Sequence, residues 1–292
     1  MGKGTRNRTR RNKGKTEEKT EVIELKNGIS TSSYFSIKWL AVLFTFLGTF
    51  VFTFYEPLSI PDNIFYYGQT LQKIGYALFC YLCAESFWHT KNRLRHFIIL
   101  MSIALAFELP YDQIVYGKLF SPEKQNPVFG IAIGFLALCL THIDYKNAFI
   151  KIGMKYKSAK ANQKWARLIC LFLCGSLLSF LYVEYSWHSV FLIFIFGIAR
   201  NRKHRGLLQT IGIISFSIFT SGIVYLSYAC VLALIPISIA QCRERYPKYF
   251  VTTKFTKLLN RIFESKVSAI ASRLFCLITI IVFAVARTYF IK

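Results

Sequence analysis

Apolar runs close to the length of a bilayer crossing, separated by short segments rich in Lys and Arg, recur along most of this chain after residue 36. A run of about 20 apolar residues is what an α-helix needs to cross roughly 30 Å of hydrocarbon. No water is available there to satisfy the backbone, so such runs must be helices or strands of a closed barrel. Continuous apolar blocks, without strict alternation, select helices. The runs are 37–55, about 67–88, 95–109, 127–143, 167–183, 187–199 and 269–291, and a long stretch, 207–240, divides in two at Thr220-Ser221-Gly222. The sequence therefore predicts an all-α, polytopic transmembrane bundle of about nine spans, within a range of about 8–10. The run 187–199 is short for a crossing; tilting, burial within the bundle or a re-entrant path would each accommodate it. A hydrophobic content of 54%, mean hydropathy of +0.39 and 17% aromatic residues suit lipid-facing and interfacial positions.

The charge follows the same alternation. A formal net charge of +23 would point to nucleic acid in a soluble protein. Here it is explained by the collection of Lys and Arg in cytoplasmic loops, and no nucleic-acid partner is expected. The segments 89–96, 144–167, 200–205 and 241–268 are strongly basic, whereas 56–66 holds Glu56 and Asp62 with no Lys or Arg, and 184–186 holds only Glu184. Nine alternating spans put every basic loop on the side of the N-terminal tail, which predicts a cytoplasmic N-terminus, an outside C-terminus and location in the cell membrane. Residues 1–33 lack an apolar core and are read as a disordered basic tail; they resemble neither a secretory signal nor, with Arg6 where Ser or Thr is required, a myristoylation site. Residues 34–292 form the membrane domain. Within it, Phe250, Phe255, Leu258, Leu259, Ile262 and Phe263 alternate with basic residues at near-helical spacing, so the 241–268 loop is a cytoplasmic or interfacial segment on the lipid bilayer.

No nucleophile elbow, zinc-protease motif, phosphate-binding loop or dinucleotide fingerprint is present. Cys80-x-x-Cys83 has metal or redox spacing but lies mid-span without a second pair, and no metal is expected. Ionisable groups within spans cost at least about 2.5–3.5 kcal/mol on insertion scales, so each needs a reason. Glu85 and His89 share a helix face at i, i+4 and are either an acid/base pair or a structural interfacial pair. Glu108, Tyr111, Asp112 and Asn126 gather around Pro110, which is expected to stop or turn the third helix. They form either a polar substrate site or an ordinary loop in which Asn126 caps the fourth helix with Pro127 at its first position.

The run Gly75-Tyr-Ala-Leu-Phe79-Cys-Tyr-Leu-Cys-Ala-Glu85-Ser-Phe87-Trp-His89-Thr90-Lys91-Asn92 resembles the second-span motif of the TraX family. Phe107-Glu108-Leu-Pro110-Tyr111-Asp112, then Gly117, Gln125-Asn126, Phe129 and Gly134-Phe-Leu-Ala-Leu138, continue the resemblance, and Tyr182-Val-Glu-Tyr185 to Ile198 is a weaker match. The similarity is specific over about residues 70–140. It implies a polytopic membrane protein associated with conjugal transfer and pilin acetylation, with acetyl-CoA as co-substrate, no bound cofactor and a pilin-like or other peptide amine as acceptor. By the same resemblance Glu85 and His89 would be catalytic, and Glu108, Tyr111, Asp112 and Asn126 would bind substrate. The chain also departs from the family. Gly48 and Thr49 stand where the first span carries an Asp-His pair, Tyr76 stands where an Arg is expected, and 273–292 has no Tyr-Pro-Leu-His element. These departures leave two alternatives besides a working acetyltransferase: a non-catalytic component of a transfer or secretion apparatus, and, less favoured, a transporter.

Overall fold

A computed structural model describes residues 36–200, 202, 204–221, 228–245, 275 and 278–288. The predicted tail over 1–33, most of the amphipathic loop over 241–268 and part of the last apolar run lie outside the described residues. The chain is all-helical, and the described residues contain no strand. In order the helices are α1 (Ser36–Phe54), α2 (Asp62–His89), α3 (Arg93–Tyr116), α4 (Pro127–Thr141), α5 (Tyr145–Lys151), α6 (Tyr156–Phe180), α7 (Ser186–Ala199), α8 (Arg205–Ser221), a 3₁₀ segment (Tyr228–Ala233), α9 (Leu234–Arg245) and α10 (Ile278–Thr288).

By length and composition α1 and α3 are able to cross a membrane, and the α4–α5 pair, bent by 49° at its break, makes a third if counted as one span. Among the described residues the other runs predicted as crossings are helical too, but of different kinds. α2 is long, yet Gln72, Lys73 and Glu85 interrupt its apolar run, and most of its second half is sealed by protein. α7 has 14 residues, about 21 Å at 1.5 Å per residue. It packs against α2, α4, α6 and α8 and buries Leu192, Ile193 and Phe196, so the short run is a central helix rather than a lipid-facing one. The predicted basic loop over 144–167 is itself helical. Asp144 caps α5 through its Oδ1, and α6 begins at Tyr156, well before its apolar part.

α3 departs from expectation at Pro110, which lies inside the helix. A proline there removes one backbone hydrogen bond and crowds the preceding turn. The six residues beyond it are held by tertiary partners instead. Asp112 Oδ2 accepts from the Ser121 amide at 2.8 Å, Tyr111 donates to Glu184 at 2.9 Å, and Ile114 packs into a cluster with Phe283 and Ala284 of α10. The helix then stops at Gly117, in the left-handed conformation (φ 66°) that favours glycine at a helix end.

The main core lies along the inner face of α2, where Leu78, Tyr81 and Phe87 meet Phe135 and Leu138 of α4, Phe196 of α7 and Phe216 of α8. α3 leans chiefly on α4 and meets α2 near their shared corner at Thr90–Asn92, from which the two diverge. That corner is pinned by the Asn92 cap on the Arg95 amide (3.0 Å) and by Arg93 lying 4.0 Å over the ring of Phe87. The divergence leaves a space bounded by α1, α2 and α3.

Candidate functional site

The space between α1, α2 and α3 is a cavity of about 1460 Å³. Its middle is apolar, formed by Val42 of α1, Phe79 and Leu82 of α2, and Leu100, Ile103 and Phe107 of α3. Its two ends are polar. One holds Lys38, Glu85, Ser86, His89 and His96; the other holds Tyr76, Tyr111, Asn126, Glu184 and Tyr185. Of the six residues singled out from sequence, Glu85, His89, Tyr111 and Asn126 line this one cavity, while Glu108 and Asp112 are buried behind its wall.

At the basic end, Glu85 meets two arginines that the sequence reading assigned to loop charge. Arg200, at the end of α7, donates from Nη1 to Glu85 Oε2 at 2.5 Å, and Arg205, opening α8, donates from Nη2 to Oε1 at 2.5 Å. Arg205 also donates to the Tyr81 hydroxyl at 3.2 Å, and Arg200 lies 3.4 Å from His89 Nε2. The carboxylate is thus the clamp that fastens the α7–α8 turn to α2. Both oxygens of this carboxylate are engaged by guanidinium groups. Two arginines on one carboxylate leave this end net positive, with His89 and Lys38 beside it.

A second pair at this end was missed. His96, in the first turns of α3, places Nε2 3.1 Å from Ser86 Oγ on α2, and its ring packs at a tilt against Phe135 at 4.9 Å. Ser86 Oγ is also 2.7 Å from the Cys83 carbonyl. The sequence signal was weak: His96 sits in a basic turn, and its nearness to Ser86 depends on the sharp α2–α3 corner.

At the opposite end, Asn126 is the hub. Its Oδ1 caps α4 on the Val128 amide at 3.0 Å, and its Nδ2 donates to the Ala104 carbonyl at 2.9 Å. Both its side-chain Nδ2 and its backbone amide (3.2 Å) donate to Glu108 Oε2. The predicted capping role is present together with a cross-helix one, joining the start of α4 to the middle of α3. The other oxygens, Glu108 Oε1 and Asp112 Oδ1, are buried without a hydrogen-bond partner. Next to this hub the 181–185 turn is tied to the loop before α4. Gln125 N donates to the Tyr182 carbonyl at 3.2 Å, and Glu184 N donates to the Gln125 carbonyl at 3.1 Å. Tyr182 and Tyr185 flank Glu184 with φ of 52° and 57°. Left-handed backbone costs a non-glycine residue roughly 1–2 kcal/mol, so the surrounding contacts over-determine this turn.

Tyr76, at the position where the TraX resemblance expects Arg, is part of that support. Its hydroxyl lies 2.6 Å from Ser189 Oγ and donates to the Pro127 carbonyl at 3.2 Å, and its ring packs against Tyr185 at 4.9 Å. A Cβ on Gly130 would fall 2.6 Å from Ser189 Oγ and 2.8 Å from Tyr76 Oη. Gly130→Val is therefore expected to break the Tyr76–Ser189 bond and to cost about 2–3 kcal/mol by overpacking. A lowered unfolding midpoint in detergent is the check. Gly48 is equally constrained, since a Cβ there would lie 2.6 Å from the Gly68 carbonyl of α2. The place where an Asp is expected by resemblance is instead a close crossing of α1 and α2, and Thr49 beside it lines the cavity.

Six of the eight cysteines, Cys80 and Cys83 among them, are free thiols in the described residues. No group of three or more His, Cys, Asp or Glu side chains gathers there as for a metal ion. Compared with protein-family models, curated proteins and solved structures, the chain matches none.

Proposed function

We propose that this chain is a TraX-like, multi-pass protein of the cell membrane with a cytoplasmic N-terminus, which transfers an acetyl group from acetyl-CoA to an acceptor presented within the bilayer. The observation that carries this reading is the cavity. It runs along α3 from the basic end to the Asn126 end, so a donor arriving from one face and an acceptor held in the membrane have a common space. His96 and Tyr111, fifteen residues apart on α3, stand about 22 Å apart along the helix axis. Several features support the orientation. The Arg-bearing ends of α3, α7 and α8 meet the C-terminal end of α2 at one end of the bundle, while Asp62, Glu123 and Glu184 lie toward the other. A positive mouth suits the phosphates of a coenzyme A thioester, and a net positive cytoplasmic face suits the membrane. On this reading the nine-span count includes buried and short helices that cross with the bundle rather than against lipid.

The experiment is transfer of label from acetyl-CoA by proteoliposomes containing the full chain. Incorporation above that of protein-free vesicles, into peptide or lipid acceptors, is the expected result. None above background would remove the enzyme reading.

The structure also contains an observation favouring the second reading, a non-catalytic membrane component of a transfer apparatus. Glu85 is committed to two arginines, and Gly48 leaves no room for the expected Asp. On that reading Glu85 matters for folding only, and His89→Ala leaves the phenotype unchanged. On the enzyme reading His89, whose Nε2 lies 3.4 Å from Arg200, helps to hold that guanidinium at the mouth, and His89→Ala is expected to raise KM for acetyl-CoA about threefold to tenfold, with kcat nearly unchanged.

A further inference from the structure

The Ser86–His96 pair is a polar couple at the cavity that joins α2 to α3 and stands apart from the Glu85 and Asn126 clusters. We infer that this pair is the proton-accepting site for an amphiphilic alcohol whose hydrocarbon chain lies along the apolar middle of the cavity; the inference rests on the acetyl-transfer reading and names its acceptor class.

Three observations converge on it. Ser86 Oγ is 2.7 Å from the Cys83 carbonyl and 3.1 Å from His96 Nε2, so its single hydrogen has two destinations. A hydroxyl so placed is able to receive a proton from one side while giving its own to the imidazole. His96 is held by its tilted contact with the Phe135 ring and by its place one turn inside the Asn92 cap, so the ring is already oriented. Both residues line the cavity just where its surface changes from apolar (Leu82, Leu100, Ile103) to polar, within reach of the positive mouth. A molecule with a chain in the apolar part presents its head group at this boundary. A peptide backbone would carry unsatisfied N–H and C=O groups through the apolar part, whereas a hydrocarbon chain carries none.

The chemistry balances as follows. The acceptor oxygen attacks the thioester carbonyl carbon as its proton moves to Ser86 Oγ and the Ser86 hydrogen moves to His96 Nε2. The carbon–sulfur bond breaks, and the departing thiolate takes a proton back from the imidazolium through Ser86. The products are an acetyl ester and a free thiol. General-base assistance of this kind contributes about 10²–10⁴-fold in rate.

The test uses the full chain in phosphatidylethanolamine/phosphatidylglycerol vesicles, labelled acetyl-CoA, and monooleoylglycerol or glycerol as acceptor. The expected result is acetylation of monooleoylglycerol and not of glycerol at the same bulk concentration. His96→Gln is expected to lower kcat at least 100-fold with little change in KM and to remove the acidic limb of the pH–rate profile. Ser86→Ala is expected to lower kcat at least tenfold. Should His96→Gln fail to elute as a monodisperse peak, Ile103→Trp decides: filling the cavity is expected to raise KM for monooleoylglycerol at least tenfold, and an unchanged KM overturns the inference. A folded His96→Gln with wild-type kcat, or glycerol used as well as monooleoylglycerol, overturns this inference and leaves acetyl transfer standing. Label found only in a peptide amine does the same. No transfer by the wild type overturns both.

Discussion

Glu85→Gln is expected to lower the thermal unfolding midpoint of the detergent-solubilised protein by roughly 5–10 °C, corresponding to about 3 kcal/mol. The carboxylate side chain is 4% exposed, and its two partners are 19% and 13% exposed. Removing one member of a buried ionic group leaves the others uncompensated, which costs about 3–5 kcal/mol where water is excluded. Residual solvent at the arginines brings the figure to the lower end of that range. The neutral amide keeps the shape and one acceptor oxygen, so the loss reports charge and not volume. Arg205→Met in the Glu85→Gln background then removes one orphaned cation, and it is expected to restore part of the midpoint although it deletes a further native side chain. Differential scanning fluorimetry of the four proteins in one detergent closes the cycle. Additive losses would mean that the clamp between α2 and the α7–α8 turn contributes no coupling, and Glu85 would again be free to be read as a base.

That clamp shows where the sequence was legible and where it was not. The helices that carry the apolar runs were legible from hydrophobic content, whereas the helices of the basic segment 144–167 were not. α1, α4 and α7 begin and end within a few residues of their predicted limits. The Asn126 cap followed by Pro127 at the first helical position was also readable, since capping is local chemistry. The continuation of α3 through Pro110 was not. It depends on Ser121 in the loop that follows, and on Glu184 and α10, which lie far from the proline in sequence. The partners of Glu85 were hidden for the same reason. Arg200 and Arg205 are more than a hundred residues away, and in sequence they look like any basic turn. His96 was passed over because its chemistry arises only when the α2–α3 corner folds it back on Ser86. Glu108 and Asp112, conspicuous as charges in an apolar run, are instead buried behind the cavity wall.

Asn126→Asp is expected to be the most damaging substitution at the opposite end, and to exceed Asn126→Ala. If Asn126 served only to cap α4, Asp would replace it without loss, since the two are near-equal at that position. The structure asks more of it. Its amide nitrogen donates to the Ala104 carbonyl and to Glu108, and both acceptors are buried. An ionised Asp has no hydrogen to give. It would set a carboxylate oxygen against a carbonyl oxygen and a second carboxyl group, with the other Glu108 oxygen already lacking a partner. Alanine takes the side-chain donor away from both acceptors, though Glu108 Oε2 keeps the backbone amide of residue 126, and it loses the cap, at about 1–3 kcal/mol for the former and about 1 kcal/mol for the latter. Aspartate keeps the cap but adds like-charge repulsion in a desolvated site, bringing the expected loss to about 3–5 kcal/mol. Pairing Asn126→Asp with Glu108→Gln supplies a new donor opposite the new acceptor, and about half of the lost midpoint is expected to return. If Asn126→Asp instead unfolds at or above the wild-type midpoint, the bond to Glu108 does not hold α3 to α4, and this end of α3 must be secured by Ser121, Glu184 and α10.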